Sequence, residues 1–320
     1  MIRGAGALML SLAAGGVSAA AGEAGFSYVR AMDSAAARVI VDVRPRAACE
    51  GRTVSGARCL PAADFLGPHR RLASWRDILW LLGTAGLRGD ESVLVIGEEP
   101  TARDFVAGLL HLAGQREVRV LTEPVPRLLA AGTAAGAGRP RDFARAVVFE
   151  APMRDALVVM GSELAAAKPL PALLDGRASA EYWGEIARAS RAGHLPGAIS
   201  LPAAELRAAA GQATLPEGKS VAYGHDALEG IAYFTLLRAG HGVDARVYPE
   251  GWAEWAAHGD WPADAVSYPE AVHRPAAAVT AAPPAPTSPG SLTAGALMGA
   301  LGLAAIAFAA GLGVGRCGRG

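Results

Sequence analysis

The chain has 320 residues, and its 30 lysines and arginines balance 30 aspartates and glutamates to a formal net charge of zero. That balance gives no sign of the basic face that nucleic-acid binding demands, and no nucleic-acid partner is expected. Its three cysteines form no Cys-x-x-Cys pair and no Cys/His cluster, which excludes a structural zinc site and leaves no metal or cofactor implied.

Residues 1–21 have the layout of a secretory signal peptide. Arg3 opens the segment, Ala5 to Val17 is apolar and uncharged, and Ser18-Ala19-Ala20-Ala21 supplies small residues for cleavage. The apolar part is rich in Gly and Ala and only weakly hydrophobic, so an uncleaved anchor stands as the alternative. No cysteine follows it, which argues against a lipoprotein.

Residues 26–132 read as a first domain. Arg38 to Arg44 is an apolar strand ending in Asp42-Val43-Arg44, and a short helix-like stretch follows. Next come the turn Val54-Ser55-Gly56-Ala57-Arg58-Cys59-Leu60-Pro61, a strand Ser92 to Ile96, a helix Asp104 to Ala113 and a strand Val118 to Leu121. Cys49 and Cys59 share this domain. They read equally as a disulfide in an oxidising compartment and as two buried thiols. Residues 133–152, where Gly, Ala, Thr and Pro replace the pattern, read as an interdomain linker.

Residues 153–262 repeat the order. A strand ends in Asp175-Gly176-Arg177, the turn is His194-Leu195-Pro196-Gly197-Ala198-Ile199, and Ser220 to Tyr223 is the next strand. A helix Gly230 to Ala239 and a strand Ala245 to Tyr248 complete it. Residues 263–291 form a Pro/Ala-rich linker, semi-rigid and extended. Residues 292–315 are 24 without a charge, about 36 Å as a helix and long enough to cross a bilayer. Arg316 and Arg319 in the tail 316–320 stay cytoplasmic by the positive-inside rule. The expected fold class is α/β: two domains, each a small, mainly parallel sheet flanked by helices, followed by one C-terminal transmembrane helix. The globular part then lies outside the cytoplasm, on the periplasmic side of a single-pass anchor in the cell membrane.

These motifs resemble the rhodanese (sulfurtransferase) family in its tandem two-domain form. The second copy carries Asp175-Gly176-Arg177 with Glu181-Tyr182, then Gly193-His194-Leu195-Pro196-Gly197-Ala198, then Gly251-Trp252-Ala253-Glu254-Trp255. The first keeps Asp42-Val43-Arg44 and Ser55-Gly56-Ala57, with Thr53-Val54 for the His-Ile step and no closing tryptophan motif. The resemblance implies structural roles for Asp42, Arg44, Asp175, Arg177, His194 and Gly197, with Trp252 and Trp255 as packing. It also implies a cysteine at the end of each copy's fourth strand that carries sulfur as a persulfide. Gly97 and Gly224 stand there instead, and no cysteine lies between Leu60 and Arg316.

The loops that follow, Gly97 to Arg103 and Gly224 to Gly230, carry carboxylates where a sulfur anion would sit. Arg103 offsets part of this in the first, as a surface residue opening a helix, while nothing in the second does unless His225 is protonated. Arg103, His225 and Asp226 are the candidate loop residues. The expectation is a degenerate, non-catalytic binding or scaffold protein of the cell envelope with an unidentified protein partner. The alternative is a sulfurtransferase of the thiosulfate or mercaptopyruvate type using Cys59, Cys49 or a partner's thiol. The topology has a direct check: a reporter active only outside the cytoplasm works when fused after Pro289 and fails when fused after Gly320, and the reverse pattern refutes the anchor.

Overall fold

The computed structural model describes residues 25–32, 39–144, 146–209 and 214–265. The expected signal peptide, most of the Pro/Ala-rich linker, the apolar segment 292–315 and the tail lie outside the described residues. Among the described residues no helix is long and apolar enough to cross a membrane.

The N-terminal half runs β1 (Phe26–Val29), β2 (Val39–Asp42), α1 (Arg46–Gly51), β3 (Thr53–Val54), β4 (Arg58–Cys59), α2 (Trp75–Thr84), β5 (Ser92–Ile96), α3 (Pro100–Leu112), β6 (Glu117–Leu121), α4 (Val125–Ala130) and β7 (Ala135–Gly136). Five strands form a parallel sheet in the order β1-β6-β5-β2-β4. β5 is buried at every position, as a central parallel strand covered on both faces requires. The edge strand β1, unforeseen in the sequence, pairs Phe26 to Val29 with Val118 to Leu121.

The C-terminal half runs α5 (Gly161–Ala166), β8 (Ala172–Asp175), α6 (Ser179–Tyr182), β9 (Ile199–Ser200), α7 (Ala203–Ala208), β10 (Ser220–Tyr223), α8 (Ala227–Thr235), β11 (Ala245–Val247) and α9 (Gly251–Ala257). Its parallel sheet has the order β11-β10-β8-β9. Both major helices start earlier than the sequence reading placed them. Pro100 opens α3 with a ring already at helical φ and no N–H to satisfy. Asp226 caps α8, its Oδ1 accepting the Glu229 N–H at 3.1 Å. α8 then passes into a five-residue π-helical turn, Leu236–Gly240.

Residues 133–144 and 146–152, within the expected interdomain linker, lie against the N-terminal half. β7 pairs antiparallel with β3, and the segment continues as a strap bonded to the protein at several points. Gly138 N–H donates to Cys49 O, Cys59 N–H to Arg139 O, Val147 N–H to Gly83 O and Glu150 N–H to Arg88 O, and Phe149 is buried. Backbone groups lying against the protein need partners, and the strap finds them in the turns it crosses. Cys49 and Cys59 are joined as a disulfide with their Cα atoms 5.7 Å apart, tying α1 to β4. Gly138 lies on this bridge: a Cβ there would stand 2.4 Å from one sulfur and 2.6 Å from the other. Closing so short a loop is worth about 3 kcal/mol in the chain-entropy account.

One hydrophobic core runs through both halves, with Phe105, Val106 and Leu109 of α3 in the same cluster as Ile231, Ala232 and Phe234 of α8. The helices meet at Gly108, where a Cβ would lie 2.5 Å from Thr235 Oγ1 and 2.6 Å from Ile231 Cγ2. Thr235 Oγ1 donates to Asp104 O at 2.8 Å across this contact. Gly108→Val forces the helices apart and lowers stability by about 3 kcal/mol in chemical denaturation, within the usual cost of overpacking a tight contact. An unchanged midpoint would show that the contact contributes nothing.

Candidate functional site

Asp175 ends β8 with its side chain fully buried. Its Oδ1 accepts the Arg177 N–H at 3.0 Å, and both oxygens accept from the Arg177 guanidinium. Tyr223, ending the neighbouring β10, donates its hydroxyl to Asp175 Oδ2 at 2.6 Å. Burial, then the adjacent Asp175 charge, push the Tyr223 phenol well above its ordinary pKa, so it remains a donor. Arg177 also donates to Gly193 O at 2.9 Å and lies 4.8 Å from the centroid of the Trp252 ring. A pair this deep is held for its geometry, since desolvation consumes most of the Coulomb gain. The N-terminal half builds the same corner from Asp42 and Arg44, with Thr53 donating to Asp42 Oδ2 at 2.6 Å in place of the tyrosine.

His194 stacks on Tyr182 at 3.7 Å between ring centroids, and its Nδ1 lies 2.9 Å from Tyr182 O. Gly197 takes φ +69°, a turn conformation that favours glycine, and its N–H donates to Asp264 Oδ2. Trp252 and Trp255 are buried in α9. All of these position the loop that follows β10.

That loop holds Gly224, His225 and Asp226. Gly224 is buried, and its carbonyl accepts from Trp252 N–H at 3.0 Å. A Cβ on Gly224 would lie 2.6 Å from Gly230 N and 2.8 Å from the carbonyl carbon and Cβ of Glu229. Real Cβ atoms do not approach so closely, and the first turn of α8 occupies the space. At Gly97, after β5, a Cβ would meet Val43 Cγ2 at 2.9 Å and Arg103 Cβ at 3.3 Å. Both strand ends are packed as glycines.

The loop's charges are matched by residues far off in sequence. Arg188 grips Glu229 through both terminal nitrogens, at 2.7 and 2.8 Å, and donates Nε to Glu181 at 2.8 Å. Burial opposes the Glu229 charge, but this fork holds its carboxyl below the ordinary value. Arg70, from the N-terminal half, lies 3.1 Å from Asp226. Burial still raises the Asp226 carboxyl. The expectation that nothing offsets the second loop's carboxylates is therefore overturned, with no protonated His225 needed. Burial, then Arg188, depress His225 to about 4. Its Nδ1 sits 3.9 Å from Glu181 Oε2.

Arg103 also differs from expectation. It is buried, donating Nη1 to Thr122 O at 3.1 Å and Nε to Asp104 at 3.3 Å. Because α3 begins at Pro100, Arg103 falls within the first turn and turns inward. Beside α8 a cavity of about 630 Å³ opens between the halves, lined by Arg70 and Thr101 on one side and by Arg177, Arg188, Arg207 and Tyr233 on the other. Arg207 is paired with the buried Asp104 of α3. Motif spacing carries no signal for Arg70, Arg188, Arg207 or Tyr233. His225 and Asp226 stand together at the loop, whereas Arg103 lies apart among β5, β6 and α3.

Residues 161–258 match the rhodanese-like domain family. A crystal structure of a probable thiosulfate sulfurtransferase is similar, with 27% sequence identity and a TM-score of 0.55, covering 73% of this chain and 99% of that one. Wild-type EanB is similar in fold at 18% identity and a TM-score of 0.58, covering 75% of this chain. An EanB variant in complex with ergothioneine gives the same TM-score and identity. The present chain spans 64% of the EanB chain. No curated protein sequence matches it significantly. The C-terminal half thus carries a rhodanese-like domain, and the α/β fold with parallel sheets fits that family.

His225 gives the site a pH signature. The unfolded imidazole takes up a proton near pH 6.5 and the folded one only near pH 4, so between those values the unfolded state binds more protons and stability falls as pH falls. His111, depressed to about 3 chiefly by burial, acts in the same direction. His225→Gln flattens the fall of the denaturation midpoint between pH 6.5 and 4, leaving the share of His111; an unaltered profile would mean that His225 is not buried as a neutral base.

Proposed function

We propose that the chain is a tandem rhodanese-like protein of the cell envelope, exported and anchored by residues 292–315, that binds a partner and does not transfer sulfur. One observation carries this reading: at Gly224 the space a cysteine side chain would need is filled by Gly230 and Glu229. Loss of a nucleophile by a single substitution would leave room for its return. Here α8 begins immediately after Asp226 and closes over the strand end. The ion pairs Arg188–Glu229 and Arg70–Asp226 support the same reading, since they engage the cations that an incoming anion would need.

The alternative uses Cys49 or Cys59, or borrows a partner's thiol. Both cysteines are buried and bonded to each other, so neither offers a thiolate before reduction. The test is transfer of sulfur from thiosulfate and from mercaptopyruvate to cyanide by the full-length protein. Neither donor supports turnover, and Gly224→Cys adds no activity while lowering stability. The intact mass is two hydrogens below that of the reduced chain. Turnover abolished by Cys59→Ser, or cyanide-releasable sulfur on either cysteine, would replace this reading with the enzymatic one.

A further inference from the structure

We propose that a second cleft, at the carboxyl edge of the first sheet, binds a small organic cation with an apolar body. This goes beyond the proposed function and holds whether or not the second half transfers sulfur.

The cleft has a volume of about 700 Å³, within the range of small-molecule sites. It opens where the chain leaves β2 toward one edge of the sheet and β5 toward the other. In open parallel sheets this is the position at which crevices form beyond the strand ends. Val43, Pro61 and Ala62 are buried at its base, and Ala102 of α3 forms part of the wall. Val43 also covers Gly97, so the base is a closed apolar surface without a reactive group.

The charged residues at the mouth select the occupant. Arg44 is consumed by the buried Asp42. Asp64 is held by Arg141 at 2.6 Å, and the exposed Arg46 stands only loosely near Asp64 and Glu50, at 4.0 Å from each. Glu98 and Glu99 differ from these. Both are exposed, both line the cleft, and neither carboxylate has an ion-pair or hydrogen-bond partner among the described residues. Their position before α3 complements the helix dipole, which stabilises the charges without using their hydrogen-bonding capacity. Two free carboxylates over an apolar base focus negative potential into the cleft. An alkylammonium satisfies the carboxylates while its body covers Val43 and Ala62. An anion of the same shape meets repulsion at the mouth and finds only Arg46 to receive it.

A matched pair of fluorescent probes separates these cases: dansylcadaverine, which ends in an ammonium, and dansyl-6-aminohexanoate, which ends in a carboxylate. Each is titrated into full-length protein in a non-ionic maltoside detergent, which carries no ammonium group to compete, with the detergent blank subtracted. The ammonium probe gives a saturable rise in emission, and the carboxylate probe binds at least about tenfold more weakly. Two exposed charges at a few-fold each make Glu98→Gln/Glu99→Gln lower the affinity for the ammonium probe about tenfold, while the thermal midpoint falls by only a few degrees, the share of the lost helix-dipole contact. Ala63→Trp, at an exposed rim position, blocks the rise without touching either charge. Equal binding of the two probes, a double variant that binds as the parent does, or no saturable signal up to millimolar probe would overturn the proposal.

Discussion

Much of the structure depends on the contact of α3 with α8 at Gly108. Each of these helices follows a central strand of its own sheet, and each begins just beyond that strand's carboxyl end. Pressing them together at glycine distance makes one core of two, so neither half can move as an independent body without exposing apolar surface. The contact also fixes which loops meet. It brings Arg70 to Asp226 and Arg207 to Asp104, and it leaves the cavity between the halves walled by guanidinium groups.

From that arrangement follows the fate of the charges. A guanidinium or carboxylate drawn into the junction between the two halves must find a partner or lose its charge. Asp175 and Arg177 find each other across two residues, locally, and their geometry is the same wherever the motif occurs in this chain. Glu229 and Asp226 find theirs through the tertiary fold. Arg188 serves Glu229 and Glu181 together and Arg70 serves Asp226, so the arginine-rich wall is less electropositive than a count of its cations suggests. The same pairing fixes Glu229 in the first turn of α8, where its backbone and Cβ crowd Gly224. Charge neutralisation and steric closure at this strand end are thus two consequences of one helix placement.

Sequence reveals whatever is encoded locally. Asp175-Gly176-Arg177 is legible because its partners stand two residues apart, and the turn around Gly197 because the glycine itself supplies the positive φ, although its N–H bonds Asp264 67 residues away; the parallel strands show in their short apolar runs. The partnership of Arg188 with Glu229 spans 41 residues and has no spacing rule, so the second loop looked uncompensated. Arg103 misled for a related reason. The helix starts at Pro100, four residues before the expected Asp104, so Arg103 is a residue of its first turn and not of the loop before it, and it is buried against Thr122 and Asp104. In the connecting segment 133–152, Gly, Ala and Pro signal irregular structure but say nothing of contacts, and its hydrogen bonds go to turns that composition does not reveal.

The two strand ends closed in different ways, and this bears on what each cleft can do. At Gly224 the closure comes from the helix that follows, which carries Glu229 with it and leaves the loop's charges internally matched. At Gly97 the closure comes from beneath, by Val43 and the inward-turned Arg103, so the loop's own carboxylates are left at the rim. Arg103, which the sequence suggested as the counter-charge for Glu98 and Glu99, is the residue whose burial leaves them free. On the reading of a duplicated domain, equivalent positions have therefore become electrostatically unlike: a neutralised wall in one half and an unmatched acidic mouth over an apolar base in the other. A function that persists without a nucleophile has more to work with in the second of these, because free charge beside dry surface is what recognition of a small molecule requires.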